Sequence, residues 1–150
     1  MPKVKIFLWQ YLCNALPLRG NLLKKVMTID PLCPLCGEDI ETTCLFWECS
    51  FTKSIWDLAQ QHNWLPLHDI PCNQQCSLQI IKKFRQNSNP NDIRKLAFLL
   101  WSIWKGRNAF VFQHQHANPI RIIINAKKAF GEWRIRSCMS DDFSSTVVIS

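Results

Sequence analysis

The 150-residue chain holds one tyrosine, and its most apolar run, Leu96 to Trp104 (LAFLLWSIW), is nine residues long. A bilayer-spanning helix needs about 20, so no membrane anchor is expected. The opening Met-Pro-Lys-Val-Lys leads into a mixed segment and not into the apolar stretch of a secretory signal. That points to an intracellular chain, cytoplasmic or nuclear and not secreted. No internal repeat is visible. No cysteine–histidine pair is placed as an activated nucleophile and base, and nothing marks a small-molecule substrate site.

Aromatic residues fill the space that these absences leave. Seven Trp and nine Phe in a chain that is 47% hydrophobic are enough to bury one core, which argues against disorder and for a single compact domain. Eight cysteines in an intracellular chain are expected to stay reduced, so closely paired thiols point to a metal more than to disulfides.

The formal charge of +7 is uneven. Residues 1–30 carry +4, residues 31–50 carry −4 through Glu38, Asp39, Glu41 and Glu48, and residues 91–138 carry +7. The acidic segment is also the cysteine-rich one.

Val4, Ile6, Phe7, Leu8, Tyr11 and Leu12 recur at helical spacing, predicting a helix over residues 3–15 with a wide buried face that Pro17 ends. A short second helix over residues 18–26 places Leu22, Leu23 and Val26 opposite Arg19, Lys24 and Lys25. Residues 28–49, with Pro31, Pro34 and Gly37, read as a loop. A third helix is predicted from Ser50, as N-cap, to about Gln61, and another near residues 77–86. After the polar break Asn87–Asn91, Ile93, Leu96, Ala97, Leu100 and Trp104 mark a long helix that is apolar nearly all round. Such a helix is central to the core or docked on another body. Asn118 followed by Pro119 predicts the start of a last helix running to about Arg136, with a frayed tail beyond.

Cys33-Pro34-Leu35-Cys36-Gly37 sets two thiols at the spacing that lets both bind one tetrahedral ion, and Gly37 allows the chain to turn back. With Cys44 and Cys49 the pattern is C-x2-C-x7-C-x4-C. Four soft ligands favour one zinc ion over magnesium or calcium, and a closed thiolate shell leaves no position for a substrate water. The site is therefore expected to be structural. Unligated buried thiols, a redox CxxC and an iron–sulfur cluster are the competing readings. Four thiolates, one Zn2+ and the local carboxylates make this loop strongly negative, so any contact with RNA or DNA is expected on basic side chains elsewhere: Lys3, Lys5, Arg19, Lys24 and Lys25, or those from Arg94 onward. A merely solvated basic face is the alternative. His62, His68, Cys72 and Cys76 are too loosely spaced for a strong second metal site. Cys13 is expected to be buried, and Cys138 to be a free thiol.

Several separate motifs carry a resemblance: Pro2 to Trp9 (PKVKIFLW), Leu16 to Arg19 (LPLR), Asn21-Leu22, Cys33 to Glu38 (CPLCGE), Glu41-Thr42, Leu45-Phe46, Glu48-Cys49 and Ile55-Trp56. Over about residues 2–60 the chain resembles the zinc-binding domain of plant non-LTR retrotransposon reverse transcriptases. Leu100 to Asn108 (LWSIWKGRN) with Val111-Phe112 is similar to the helical linker that precedes a ribonuclease H domain in those elements. The resemblance implies a zinc module between polymerase and ribonuclease H domains that assists contact with RNA or DNA. The family's ligands usually read Cys, Cys, His, Cys; here Cys44 stands at the histidine position, with a spacer one residue short, and thiolate serves zinc as well as imidazole does. The catalytic parts are missing. Tyr11 is followed by Leu12, Cys13 and Asn14, not by the paired aspartates of a polymerase, and a ribonuclease H needs several converging carboxylates, whereas over half of the eleven here lie in the cysteine loop or the tail.

The expectation is thus a non-enzymatic, mainly α chain with a zinc-stapled loop between its second and third helices. Residues 1–62 form the zinc-binding part, 63–138 the helical linker and 139–150 the tail.

Overall fold

The computed structural model describes residues 2–26, 28–38, 40–42, 45–65, 82, 86 and 89–149, with side chains described as far as residue 138. Six helices follow in order among the described residues: α1 (Pro2–Leu12), α2 (Arg19–Leu23), α3 (Leu45–Glu48), α4 (Ser50–Gln61), α5 (Pro90–Gln113) and α6 (Pro119–Ile149). The only strand-like pairing described is an isolated antiparallel bridge, Leu32 to Ile40. The mainly α expectation holds. No described helix is long and apolar enough to cross a membrane.

The long helix is the hub. Leu96, Ala97, Phe98, Leu99, Leu100 and Ile103 of α5 are all buried, because α1 and α6 pack on it, with α4 packed in turn against α6. Its all-round apolarity therefore serves the centre of the core. The Asn89 side chain accepts from the Asp92 amide at 2.9 Å, and Pro90 opens the helix where a missing N–H costs nothing. His114, in the left-handed conformation (φ 56°), ends it. Asn118 caps α6 in turn, accepting from the Ile120 amide at 2.9 Å, as its sequence predicts.

Four local expectations are corrected. On α1 the buried face is narrow, Val4, Phe7 and Tyr11, while Ile6 and Trp9 are exposed. Cys49 and not Ser50 is the N-cap of α4. Cys13 is exposed, immediately after the end of α1. The backbone of α6 stays helical to Ile149, well past Arg136, since no proline or glycine follows Gly131 to stop it. The helix expected near residues 77–86 lies outside the described residues except for Lys82 and Gln86, both helical.

The core has two adjoining parts, a large cluster and a smaller one of Val4, Ala97, Phe98 and Phe130, with Leu8, Trp64 and Trp101 packed against both. Phe7 and Tyr11 of α1 pack on Phe46 of α3, with Tyr11 edge-on at 5.1 Å, and Phe7 also stacks on Trp104 of α5 at 6.5 Å. Trp47 and Trp56 stack nearly parallel, 8° apart in plane with centroids 4.7 Å apart. Each buried indole N–H finds an acceptor: Trp47 Nε1 donates to the Tyr11 hydroxyl at 2.6 Å and Trp56 Nε1 to the Phe46 carbonyl at 2.7 Å. The short helix α3, which sequence reading folded into the loop, is thereby pinned directly before Cys49.

Candidate metal centre

The loop that carries Cys33 and Cys36 is closed at its base by main-chain bonds. The Glu41 amide donates to the Pro31 carbonyl and the Gly20 amide to the Glu41 carbonyl, at 2.8 and 2.9 Å. Within that frame the chain turns after Pro34, the Gly37 amide donates to the Cys33 carbonyl at 2.8 Å, and Gly37 sits at φ +69°, a conformation that a side chain would strain. The thiols of Cys33 and Cys36 consequently point to the same side. Cys49 meets them from the start of α4.

The three Sγ atoms lie within 4.8 Å of one another, and Cys33 and Cys49 are 3.9 Å apart. Four sulfurs at about 2.3 Å from a tetrahedral zinc ion would be separated by about 3.8 Å, so the arrangement fits such an ion with little movement. Cys33 and Cys49 are buried and Cys36 is half-buried, which suits a closed structural site. Cys33 and Cys36 lie between α2 and α3, and Cys49 between α3 and α4. Cys44 lies outside the described residues, as do His68, Cys72 and Cys76; His62 is exposed just after α4.

Electrostatics separate the two buried thiols. The Cys33 thiol is pushed well up by its hydrogen bond with Cys49 and by burial, against the opposing pull of the Cys36 and Leu35 amides. Cys49 is pulled down, first by the Cys33 hydrogen bond and, against desolvation, by the Thr52 and Phe51 amides in the first turn of α4. The contact therefore favours the proton on Cys33, and a divalent cation bound by these sulfurs would displace it.

A buried ion pair that sequence reading missed braces the loop. Arg107 of α5 donates to both Glu41 oxygens, Nη2 to Oε1 at 2.6 Å and Nε to Oε2 at 3.0 Å, with the side chains 3% and 0% exposed. The Arg19 amide adds a third donor to Oε1 at 2.8 Å. Charge counting along the sequence places Glu41 simply among the carboxylates that make the loop negative. Its hint in the sequence was its position between Ile40 and Thr42 in the motif shared with the resembled family, opposite an arginine within the equally recognisable Gly106-Arg107-Asn108.

The basic residues marked for nucleic acid are dispersed. Lys3 and Lys5 are exposed on α1, and Lys24 and Lys25 are exposed after α2. Arg19 is half-buried, its Nη1 donating to the Leu32 carbonyl at 3.2 Å, and so helps to hold the cysteine loop. No curated protein and no solved structure matches the chain. Residues 1–56, which hold all three clustered cysteines, match the family model described as zinc-binding in reverse transcriptase, and this segment fits a fragment of such a reverse-transcriptase-derived zinc-binding domain.

Proposed function

We propose that the chain is a structural zinc module derived from a retroelement reverse transcriptase, holding one Zn2+ through Cys33, Cys36, Cys49 and Cys44 and contacting RNA or DNA through its basic helices. The observation that carries the reading is the convergence of three thiols within 4.8 Å inside the segment that matches a zinc-binding family. The ion fixes the loop between α2 and α4 and takes no part in catalysis. Polymerase and ribonuclease H domains of a parent element are its natural neighbours. Contact with phosphate falls to the helices, because a four-thiolate zinc centre is itself negative.

A second reading is a docking module without nucleic-acid contact. It is favoured by Ile120, Ile124 and Ile135, which leave apolar surface exposed along α6. Titration with a labelled RNA or DNA oligonucleotide across a salt series separates the two. Affinity that falls steeply with salt supports the first; absence of binding at low salt removes it.

A further inference from the structure

The cleft between the start of α1, the middle of α5 and α6 combines an open cavity, flat aromatic walls and cations without carboxylate partners. Its volume is about 590 Å3. Buried Phe98 forms its floor, and Trp101 and Trp133, both half-buried, stand on either side with ring centroids 6.4 and 6.2 Å from Phe98. Lys3 and Arg136 line the cavity, Lys105 places its ammonium 3.9 Å over the Trp101 ring, and the Arg94 guanidinium lies 5.1 Å from Trp133. Glu132 is the one acidic group in the lining.

None of Lys3, Arg94, Lys105 or Arg136 makes an ion pair among the described residues; the one described ion pair is Arg107 with Glu41. Lys105 is held below the usual lysine range by burial and by the neighbouring charge of Lys3. Lys105, held over the Trp101 ring, thus sits near a second cation, Lys3, with no described ion pair for either; the ring contact favours the ammonium there, while the like charge beside it is left for an anion to answer.

We propose that this cleft is a binding groove for single-stranded nucleic acid, in which unpaired bases lie against Trp101 and Trp133 while backbone phosphates meet Lys3, Lys105 and Arg136. Charge complementarity selects a polyanion, since four cations surround the cleft against one carboxylate. The indoles select one with exposed bases, because a duplex hides its base faces and offers only phosphates to such a wall. The groove rests on the nucleic-acid reading given above and moves its centre away from the Lys24–Lys25 side of the molecule. It also gives the segment beyond residue 56 a role of its own.

The test uses the full zinc-loaded chain and fluorescein-labelled oligouridylate and oligothymidylate of about twelve nucleotides, a length within the span of common single-strand sites, in anisotropy titrations across a salt series. Lys105→Gln with Arg136→Gln should weaken binding about tenfold and flatten the log–log salt dependence by about 1.4 in slope, the loss of two phosphate contacts at about 0.7 each. Trp133→Leu, which keeps apolar volume but removes the flat face, should weaken binding about tenfold at unchanged salt slope, and a duplex of equal length should bind more weakly than either single strand. Lys24→Gln with Lys25→Gln should leave affinity within about twofold. Circular dichroism of each variant excludes loss of fold as the cause. Binding that survives the cleft variants and is lost with Lys24 and Lys25, or a duplex bound as tightly as the single strands, overturns the groove while leaving nucleic-acid binding intact. Failure of the parent chain to bind any oligonucleotide at low salt overturns both.

Discussion

Arg107 and Glu41, 66 residues apart in sequence, form a bidentate ion pair that is almost wholly withdrawn from water and joins the central helix to the cysteine loop. Burial of this kind leaves little tolerance for losing one partner, since the survivor keeps its charge with nothing to answer it. Glu41→Gln and Arg107→Met should each destabilise the fold by about 3–5 kcal/mol in urea or thermal unfolding. Glu41→Gln combined with Arg107→Met should cost clearly less than the two single losses added together. Strict additivity would show that the pair is not coupled.

The metal centre makes a composition prediction. Native mass spectrometry of the parent chain should show one zinc, removed by chelation with a loss of thermal stability. Cys33→Ser, Cys36→Ser and Cys49→Ser should each abolish or strongly weaken retention. Cys44→Ser beside the parent decides the fourth ligand: zinc retained equally by both would refute its assignment.

Proton linkage gives that centre a pH signature. The metal-free Cys33 thiol is held well above its ordinary range, so it is protonated at neutral pH and must release its proton to bind zinc. Apparent zinc affinity should therefore fall as pH falls, by at least about tenfold per unit near neutrality, in competition with a chelator of known affinity. A pH-independent affinity would mean that the thiols are not the ligands.

Gly20 reverses the usual effect of glycine in a helix. Alanine normally gains up to about 1 kcal/mol at such a position. Here a Cβ would lie 2.5 Å from the Glu41 carbonyl oxygen and 3.1 Å from Ile40 Cγ2, a collision with main chain that no rotamer relieves. Gly20→Ala should cost about 1–3 kcal/mol in equilibrium unfolding and lower zinc retention by displacing the loop. A stabilised variant would show that α2 can move off the loop freely.

The Trp47–Tyr11 contact is a further check on the short helix α3. Tyr11→Phe leaves the indole N–H, buried 2.6 Å from the lost oxygen, without that acceptor and should cost about 1–3 kcal/mol in urea unfolding. A neutral change would mean that water reaches Trp47.

Much of this was legible in the chain. The CxxC with its glycine, the proline breaks, the polar break at residues 87–91, the Asn118-Pro119 start and the all-round apolarity of Leu96–Trp104 each act over a few residues, and each led to the element observed. What periodicity could not reveal were relations between distant segments. Glu41 reads as one of several loop carboxylates and Arg107 as one more basic residue until the fold brings them together. Trp101 reads only as part of an apolar helix and Trp133 carries no local signal, and the packing of α6 on α5 leaves them lining an open cleft. Helix α3 is four residues long, too short for any periodic signal, and exists because Phe46 and Trp47 are held by α1 and α4.

The brace from α5 also bears on where the chain can be cut. A fragment ending at residue 56 would keep the three clustered cysteines and the whole stretch shared with the zinc-binding family, yet it would lack Arg107 to neutralise Glu41 and Trp104 to cover Phe7. Zinc could hold such a fragment's loop together, but the hydrophobic side of α1 would face water. The border at which sequence similarity ends is therefore not a border of folding, and excision there should yield an aggregation-prone piece where a chain extended through α5 and α6 stays monodisperse.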